Sequence, residues 1–174
     1  MGLLQVANHK VVSGSEVSSV SLTNCITDNN VYILIANNLN VAGNGGICDI
    51  RPLVDSTQDT TANFDIAWLD INSTATFQFF NNSNQDMIRA TDGMAITPNT
   101  CNFVAYLHNW YSSSLYSKII LDVTSHNNTR LRGYQEGGVK KETTSFNGIY
   151  IETNQATSPA GFNAGSQFTM YKVV

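Results

Sequence analysis

The side chains that could take part in catalysis are scattered along this sequence. Three histidines, His9, His108 and His126, stand far apart, and none belongs to an HExxH or H-x-H pair that could hold a metal ion. The nucleophile motif GxSxG is absent. Carboxylates that could pair for acid–base work are Asp55, Asp59, Asp65, Asp70, Asp122 and Glu136. Such acids are spread too widely to form a constellation, so the sequence predicts no catalytic residue, no metal site and no cofactor.

A polar loop flanked by aromatic residues is the first candidate for binding. Trp110 and Tyr111 precede three serines, and Tyr116 follows them. Aromatic rings around polar side chains suit a glycan-binding surface. The competing interpretation is structural: one or two of the rings cover the core while the serines form a turn, because Tyr and Trp commonly bridge apolar and aqueous surroundings.

A basic cluster is the second candidate. Arg130, Arg132, Lys140 and Lys141 are four of only nine Lys and Arg residues in the chain. One interpretation is a solvated strand edge, since Lys on edge strands deters unwanted pairing. The other is a contact strip for an acidic neighbouring protein, where charge steers docking and register.

Composition excludes several classes of protein. Charged residues make up only 13% of the 174 residues, about half of the roughly 25% typical of soluble proteins. The formal net charge is −4, so neither nucleic-acid binding through many phosphates nor attachment to a membrane surface is expected. The length fits one domain, residues 1–174.

The cysteines and the start of the chain bear on where the protein is made. Cys25, Cys48 and Cys101 show no regular spacing, and we interpret them as small buried apolar residues in a reducing compartment. The first ten residues lack the cationic lead and the apolar run of a secretory signal. Synthesis in a cytoplasm is therefore expected.

The elements that would position these residues are all predicted to be strands. Short apolar alternations are separated by Gly, Asn, Ser or Pro, which is typical of strands joined by tight turns. The predicted strands cover residues 3–12, 18–23, 31–36, 47–54, 64–68, 75–80, 101–110, 116–124, 131–139, 146–152 and 165–174. Without strand–helix–strand alternation, the pattern predicts an all-β fold. We expect an antiparallel, jelly-roll-like β-sandwich of about ten short strands.

For individual segments the sequence predicts the position or the type of structure more specifically. Residues 31–36 are the most apolar run and are predicted to form a central strand buried on both faces. The closing strand, 165–174, has bulk on both faces and should lie inside a sheet. Pro52 lacks an N–H, which places strand 47–54 at an edge or at a bulge. Residues 81–85 are predicted to form a tip, and 86–95 fit a helical turn as well as a strand.

Motifs along nearly the whole chain resemble one family. In order they are VSSVSLT at 17–23, DNNVYILIANN at 28–38, YLHN at 106–109, SLYS at 114–117, GYQEGGV at 133–139, NGIY at 147–150 and GSQFTMY at 165–171. The chain resembles small virion structural proteins of tailed bacteriophages, especially marine ones, described as tail-fibre-like or capsid decoration proteins. The resemblance implies a β-sandwich without catalytic residues, assembled on the virion after synthesis in the host bacterial cytoplasm.

The resemblance also implies partners. A capsid decoration protein would contact other virion proteins, such as the major capsid protein, and other virion jelly rolls suggest a homotrimer. The basic cluster would then be the capsid contact. The alternative is a tail fibre or receptor-binding tip whose Trp110–Tyr116 loop contacts host glycan. A third class, a glycosidase, would need two carboxylates converging in a groove.

Overall fold

All regular structure in the described residues of the computed structural model is β-strand. The structure describes residues 2–11, 16–41, 46–73, 77–94, 100–126, 131–154 and 161–174, with the backbone alone at 92 and 93. The strands are β1 (Leu3–Lys10), β2 (Ser19–Leu22), β3 (Tyr32–Leu39), β4 (Gly46–Val54), β5 (Thr57–Gln58), β6 (Phe64–Asn72), β7 (Gln78–Gln85), β8 (Ile88–Met94), β9 (Cys101–His108), β10 (Ser117–His126), β11 (Leu131–Lys140), β12 (Gly148–Asn154) and β13 (Gln167–Val173). The prediction of an all-β chain is confirmed, with thirteen strands in the described ranges where about ten were expected.

The strands form two antiparallel sheets that make a β-sandwich. The larger sheet has eight strands in the order β1-β13-β3-β9-β10-β11-β6-β7. The smaller has the order β2-β12-β4-β5, and β8 also pairs with β4. The chain passes repeatedly from one sheet to the other, although β9, β10 and β11 follow one another within the larger sheet.

The core between the sheets follows the alternation of the sequence. In β10, Ile119, Leu121 and Val123 are buried, while Ile120 and Asp122 between them are exposed. Ile50 of β4 and Ile151 of β12 are buried in the same apolar cluster. Burial of each such side chain contributes about 1.5 to 3 kcal/mol, which is why the pattern of period two selects the inner face.

The strand predicted to be central in the core and the closing strand predicted to lie inside a sheet are both interior strands of the larger sheet. β13 pairs with both β1 and β3, which confirms the expectation from its bulk on both faces. β3 pairs with β13 and β9, but only its inner face, including Tyr32 and Leu34, is fully buried. Ile33 and Ile35 are half-buried, so the prediction of two buried faces was wrong: the second sheet covers only one side of the first.

Strand β4 was predicted to lie at an edge or at a bulge. It is an interior strand, so the edge was wrong, but its pairing with β8 does shift register, between Gly46 and Ile47 and between Cys48 and Asp49. It pairs with β12 on one side and with β8 and β5 on the other. Pro52 falls after the last residue paired with β8, Ile50, and before the first paired with β5, Leu53. The missing N–H of Pro52 is tolerated because β4 changes partner at that point.

Two uncertain segments are strands in the structure. Residues 81–85, predicted to be a tip, belong to β7, which pairs with β6 from Phe64 to Asp70. Most of β7 is exposed and polar, so its sequence resembles a turn although its backbone is paired. Of the undecided segment 86–95, residues 88–94 form β8, and Ile88 and Ala90 are buried against the larger sheet.

Candidate functional site

Strand β11 carries charged residues on its inner face. Its buried or half-buried positions include Arg132, Tyr134, Glu136 and Lys140 at every second or fourth residue, whereas Gln135 and Gly137 between them face solvent. Alternation puts these four side chains on one side of the sheet. The pairing of β11 with β6 and β10 turns that side toward the second sheet.

Lys140 is buried, so the interpretation of the basic cluster as an exposed edge was wrong for this residue. Its side chain has 0% exposure, and its Nζ lies 2.7 Å from Oδ2 of Asp59 and 3.4 Å from Oε1 of Glu142. The ammonium also donates to the carbonyl of Thr61 at 2.7 Å and lies 4.8 Å from the Phe64 ring centroid. Burial acts to raise the pKa of Asp59, but hydrogen bonds from its neighbours outweigh burial and lower it to about 2. Lys140 therefore ties the loop after β5 to the end of β11.

The other basic residues are also engaged within the chain. Arg132 donates from Nη2 to Oδ2 of Asp70 at 2.8 Å, and its guanidinium lies 5.2 Å from the Tyr134 ring centroid. Lys141 is one-third exposed and pairs with Asp65 at 2.9 Å. Arg130 lies outside the described residues. The cluster does not form one continuous exposed strip, because Lys140 is buried and Arg132 faces the interior.

In the aromatic loop, the tryptophan is part of the core. Trp110 is fully buried, donates from Nε1 to the carbonyl of Gly148 at 3.3 Å and packs on Phe146 with ring centroids 5.8 Å apart. Tyr111 and Tyr116 are 39% and 50% exposed. The structural interpretation is therefore confirmed for Trp110, and its prediction as a glycan-binding residue was wrong.

The serines of this loop form a turn, as the structural interpretation expected. The Ser112 hydroxyl accepts from the backbone N–H of Ser114 at 3.2 Å and of Leu115 at 3.0 Å. Such local side-chain bonds stabilise a turn. The loop therefore presents Tyr111 and Tyr116 from a defined backbone.

A cavity of about 270 Å³ opens between β8 and the β6–β7–β11 part of the larger sheet. Cross-strand register builds its floor, because Trp68 pairs with both Glu136 and Phe80, and Asp70 with Tyr134. β8 supplies the opposite wall through Arg89. We call this space the inter-sheet cavity; its principal side chains are Trp68, Asp70, Phe80, Arg89, Arg132 and Glu136.

Charges in and beside the inter-sheet cavity are largely compensated. Asp70 is paired with Arg132, and Nε of Arg89 lies 3.8 Å from Oδ1 of the fully buried Asp49. Burial raises the pKa of Glu136 to about 8; Arg89 opposes this shift and Asp49 adds to it. Burial likewise raises the pKa of Asp49 to about 6. Glu136 therefore keeps its proton at neutral pH.

An apolar row crosses the outer face of the larger sheet. Tyr171, Ile33, Tyr106 and Ile120 are successive cross-strand partners on β13, β3, β9 and β10. Tyr106 and Ile120 are 36% and 49% exposed, and Gly137 follows them on β11. We call these residues the outer apolar row; no second layer of the described chain covers it.

The same face continues to an open edge. Leu69 of β6 pairs with Phe79 of β7, which is 81% exposed. Among the described strands β7 has one neighbour, β6, and its sequence QFFNNSNQ contains no charge or proline. Natural edge strands usually carry a charged residue or a proline, which prevents pairing with another chain. A broad open depression of about 510 Å³ lies elsewhere on this sheet, lined in part by Asn37, Asn102 and Gln135.

Sequence reasoning missed the inter-sheet cavity although one signal for it was present. The sequence was interpreted as having scattered carboxylates, but the fold brings Asp70 and Glu136, 66 positions apart in number, to one cavity. The available signal was the alternation of Arg132, Tyr134 and Glu136, which places two charged residues and a tyrosine on the same face of one strand. No described group of three or more His, Cys, Asp or Glu side chains is arranged to hold a metal ion.

Comparison with known protein families, with curated proteins and with solved structures finds no match for this chain. Among the described residues there is no helix long and apolar enough to cross a membrane.

Proposed function

We propose that this protein is a non-enzymatic structural component of a phage virion, displayed on the capsid as a decoration protein. The proposal rests on the motif resemblance and on one structural observation, the outer apolar row of Ile33, Tyr106, Ile120 and Tyr171. Contiguous exposed apolar surface on a soluble protein marks an interaction site. The occupant we assign to it is a second copy of this chain, in a homo-oligomer expected to be a trimer.

The chemistry of the inter-sheet cavity supports the non-enzymatic part of the proposal. Hydrolysis of a glycosidic bond by a carboxyl pair needs one protonated and one ionised carboxyl free to act. Glu136 is protonated near neutral pH, but the Asp70 carboxylate is held by Arg132 at 2.8 Å. The described lining thus lacks a second ionised carboxylate available as base or nucleophile.

The uncharged edge strand supports assembly independently. Phe79 in β7 and Phe77 just before this strand are 81% and 66% exposed beside open backbone groups. An added strand from another virion protein would pair with those groups. The major capsid protein is the partner that the resemblance implies. Lys141, one-third exposed near this edge, is the remaining described candidate for a charged capsid contact.

Oligomeric state and capsid binding test the proposal. We expect wild-type protein to be a homo-oligomer at micromolar concentration by size-exclusion chromatography with light scattering, and to co-sediment with purified capsids. Ile120→Lys places a charge in the outer apolar row and should produce monomers. Thr124→Lys, on the same face of β10 but outside the row, should leave the oligomer intact. A strictly monomeric wild type that also fails to bind capsids would defeat the proposal.

A tail-fibre or receptor-binding tip is the second candidate. It is favoured by the exposed Tyr111 and Tyr116 on a hydrogen-bonded turn. A glycan array tests it with Tyr116→Ala, because Trp110→Ala would disturb the core rather than a binding surface. Loss of glycan binding in Tyr116→Ala would support the tip, whereas no binding of wild type to any glycan would favour decoration.

A further inference from the structure

The inter-sheet cavity contains buried carboxyl oxygens that lack partners. Oε1 of Glu136 and Oδ1 of Asp70 have no hydrogen-bond partner in the described part of the chain, although the two residues are only 6% and 3% exposed. Buried polar atoms are nearly always hydrogen-bonded, and leaving one unsatisfied costs about 1 to 3 kcal/mol. Both oxygens belong to residues that line the same cavity, which indicates an occupant with hydrogen-bond donors.

Donors and flat apolar surface lie beside these oxygens. The Arg89 side chain is 51% exposed and projects five N–H donors on a planar group. Trp68 and Phe80 stack with ring centroids 5.1 Å apart and 16° between their planes, and Phe80 is 41% exposed. Small-ligand sites combine such aromatic walls with a few convergent polar groups. The occupant therefore needs an apolar face, several donors and several acceptors.

Charge and size narrow the class of ligand. The Asp70–Arg132 ion pair is internally neutral, and Arg89 faces the carboxylate of Asp49. An anion would meet the Asp70 and Glu136 oxygens, and a cation would meet two guanidiniums, so a neutral ligand fits best. The volume of about 270 Å³ lies just below the roughly 300 Å³ at which drug-sized sites begin, which suits a single ring.

We propose that the inter-sheet cavity binds one neutral, hydroxyl-rich ring, such as a single hexose residue. The hydroxyls donate to Glu136 and Asp70 and accept from Arg89, while the C–H face of the ring lies on Trp68 and Phe80. This site is separate from the Tyr111–Tyr116 loop, and it does not depend on the virion assignment. A smaller open space of about 130 Å³, also lined by Trp68 and Arg89, leaves room for a second substituent.

Two NMR experiments with defined probes test the proposal: saturation transfer observed on the ligand, and chemical shifts observed on the indole N–H groups of the protein. The neutral probes are D-glucose, D-galactose, D-mannose and N-acetyl-D-glucosamine at millimolar concentration, and the charged probes are D-glucuronate and D-glucosamine. We expect saturation transfer to at least one neutral probe, with chemical-shift changes at the Trp68 indole. Absence of binding by every neutral probe, or tighter binding of a charged probe, would overturn the proposal.

Adjacent phenylalanines on β7 provide a matched pair of variants. Phe80 lines the cavity and Phe79 points to the opposite face of the sheet. Phe80→Leu should weaken neutral-sugar binding about tenfold, equivalent to about 1.4 kcal/mol, whereas Phe79→Leu should not change it. Trp68→Leu should weaken binding similarly, and Tyr116→Ala should leave it unchanged. Equal affinities in wild type, Phe80→Leu and Trp68→Leu, each with a cooperative thermal transition, would show that the sugar binds elsewhere and refute the site.

Discussion

Glu136→Gln is expected to stabilise the protein, and to do so only above mildly acidic pH. Glu136 is 6% exposed, and burial raises its pKa from 4.5 to about 8. Below pH 4.5 the carboxyl is protonated in both folded and unfolded chains, so it makes no pH-dependent contribution. As pH rises toward 8, the unfolded chain releases a proton that the folded chain retains, and the folded state loses stability.

The magnitude follows from the two pKa values. At pH 7 the unfolded carboxyl is about 2.5 pH units above its pKa while the folded one is still protonated, which corresponds to about 3 kcal/mol. Glutamine has nearly the same shape and, like the protonated acid, one donor group and one acceptor. The stability advantage of Glu136→Gln should therefore grow from near zero at pH 4.5 to about 3 kcal/mol at pH 7.

Urea denaturation followed by tryptophan fluorescence at pH 5, 6, 7 and 8 measures this difference. Arg89 and Asp49 act on the side chain at position 136 in both proteins, so the comparison isolates the contribution of the ionisable carboxyl group. Asp122→Asn, on the exposed outer face of β10, is the control and should change stability by less than about 0.5 kcal/mol. A Glu136→Gln protein no more stable than wild type at pH 7, or a difference that does not vary with pH, would refute a protonated buried Glu136.

Three further predictions concern the core and its ion pairs. Lys140→Met should lower the free energy of unfolding by about 3 kcal/mol, because it leaves two carboxylates without their buried partner. The control, Lys118→Met on the exposed face of β10, should change it little. Equal denaturation midpoints for the two variants would contradict the buried ion pair. Trp110→Ala should lower the free energy of unfolding by about 3 to 5 kcal/mol through the cavity it creates, and Tyr116→Ala by less than about 1 kcal/mol. Similar losses in the two variants would contradict the different burial of Trp110 and Tyr116. The three cysteines are buried, and burial raises the pKa of Cys25 to about 11 and of Cys101 to about 12. Ellman's reagent should therefore label them only after denaturation. Fast labelling of the native protein would contradict their burial.

Strong alternation made most of the fold predictable. Ile119, Leu121 and Val123 recur at period two in β10, and apart from Ile120 the residues on the other face, Lys118, Asp122 and Thr124, are polar. This local pattern directly indicates which side is buried. The pattern failed where pairing rather than burial holds a strand. Residues 81–85 of β7 are all polar, so they looked like a turn. Nothing in the neighbourhood of Pro52 reveals that β4 changes partner between β8 and β5.

The candidate binding site was less predictable than the fold. Trp110 and Tyr116 lie six positions apart in the same loop, yet one is in the core and the other is half exposed. Residue type alone favours neither location, because an aromatic ring gains from burial wherever the fold offers space. The same limit applied to Asp70 and Glu136, whose proximity depends on the register between β6 and β11.

The amino-acid order alone determined that Arg132, Tyr134, Glu136 and Lys140 share one face of β11, because side chains alternate along any strand. Only the tertiary structure decided that this face is the inner one. The opposite face, with Leu131 and Val139, is at least as apolar, so local hydrophobicity would have buried that face instead. Partners distant in sequence reverse the choice: Asp59 and Asp70 neutralise Lys140 and Arg132 inside the sandwich, and a buried charge is tolerated only when such a partner is present.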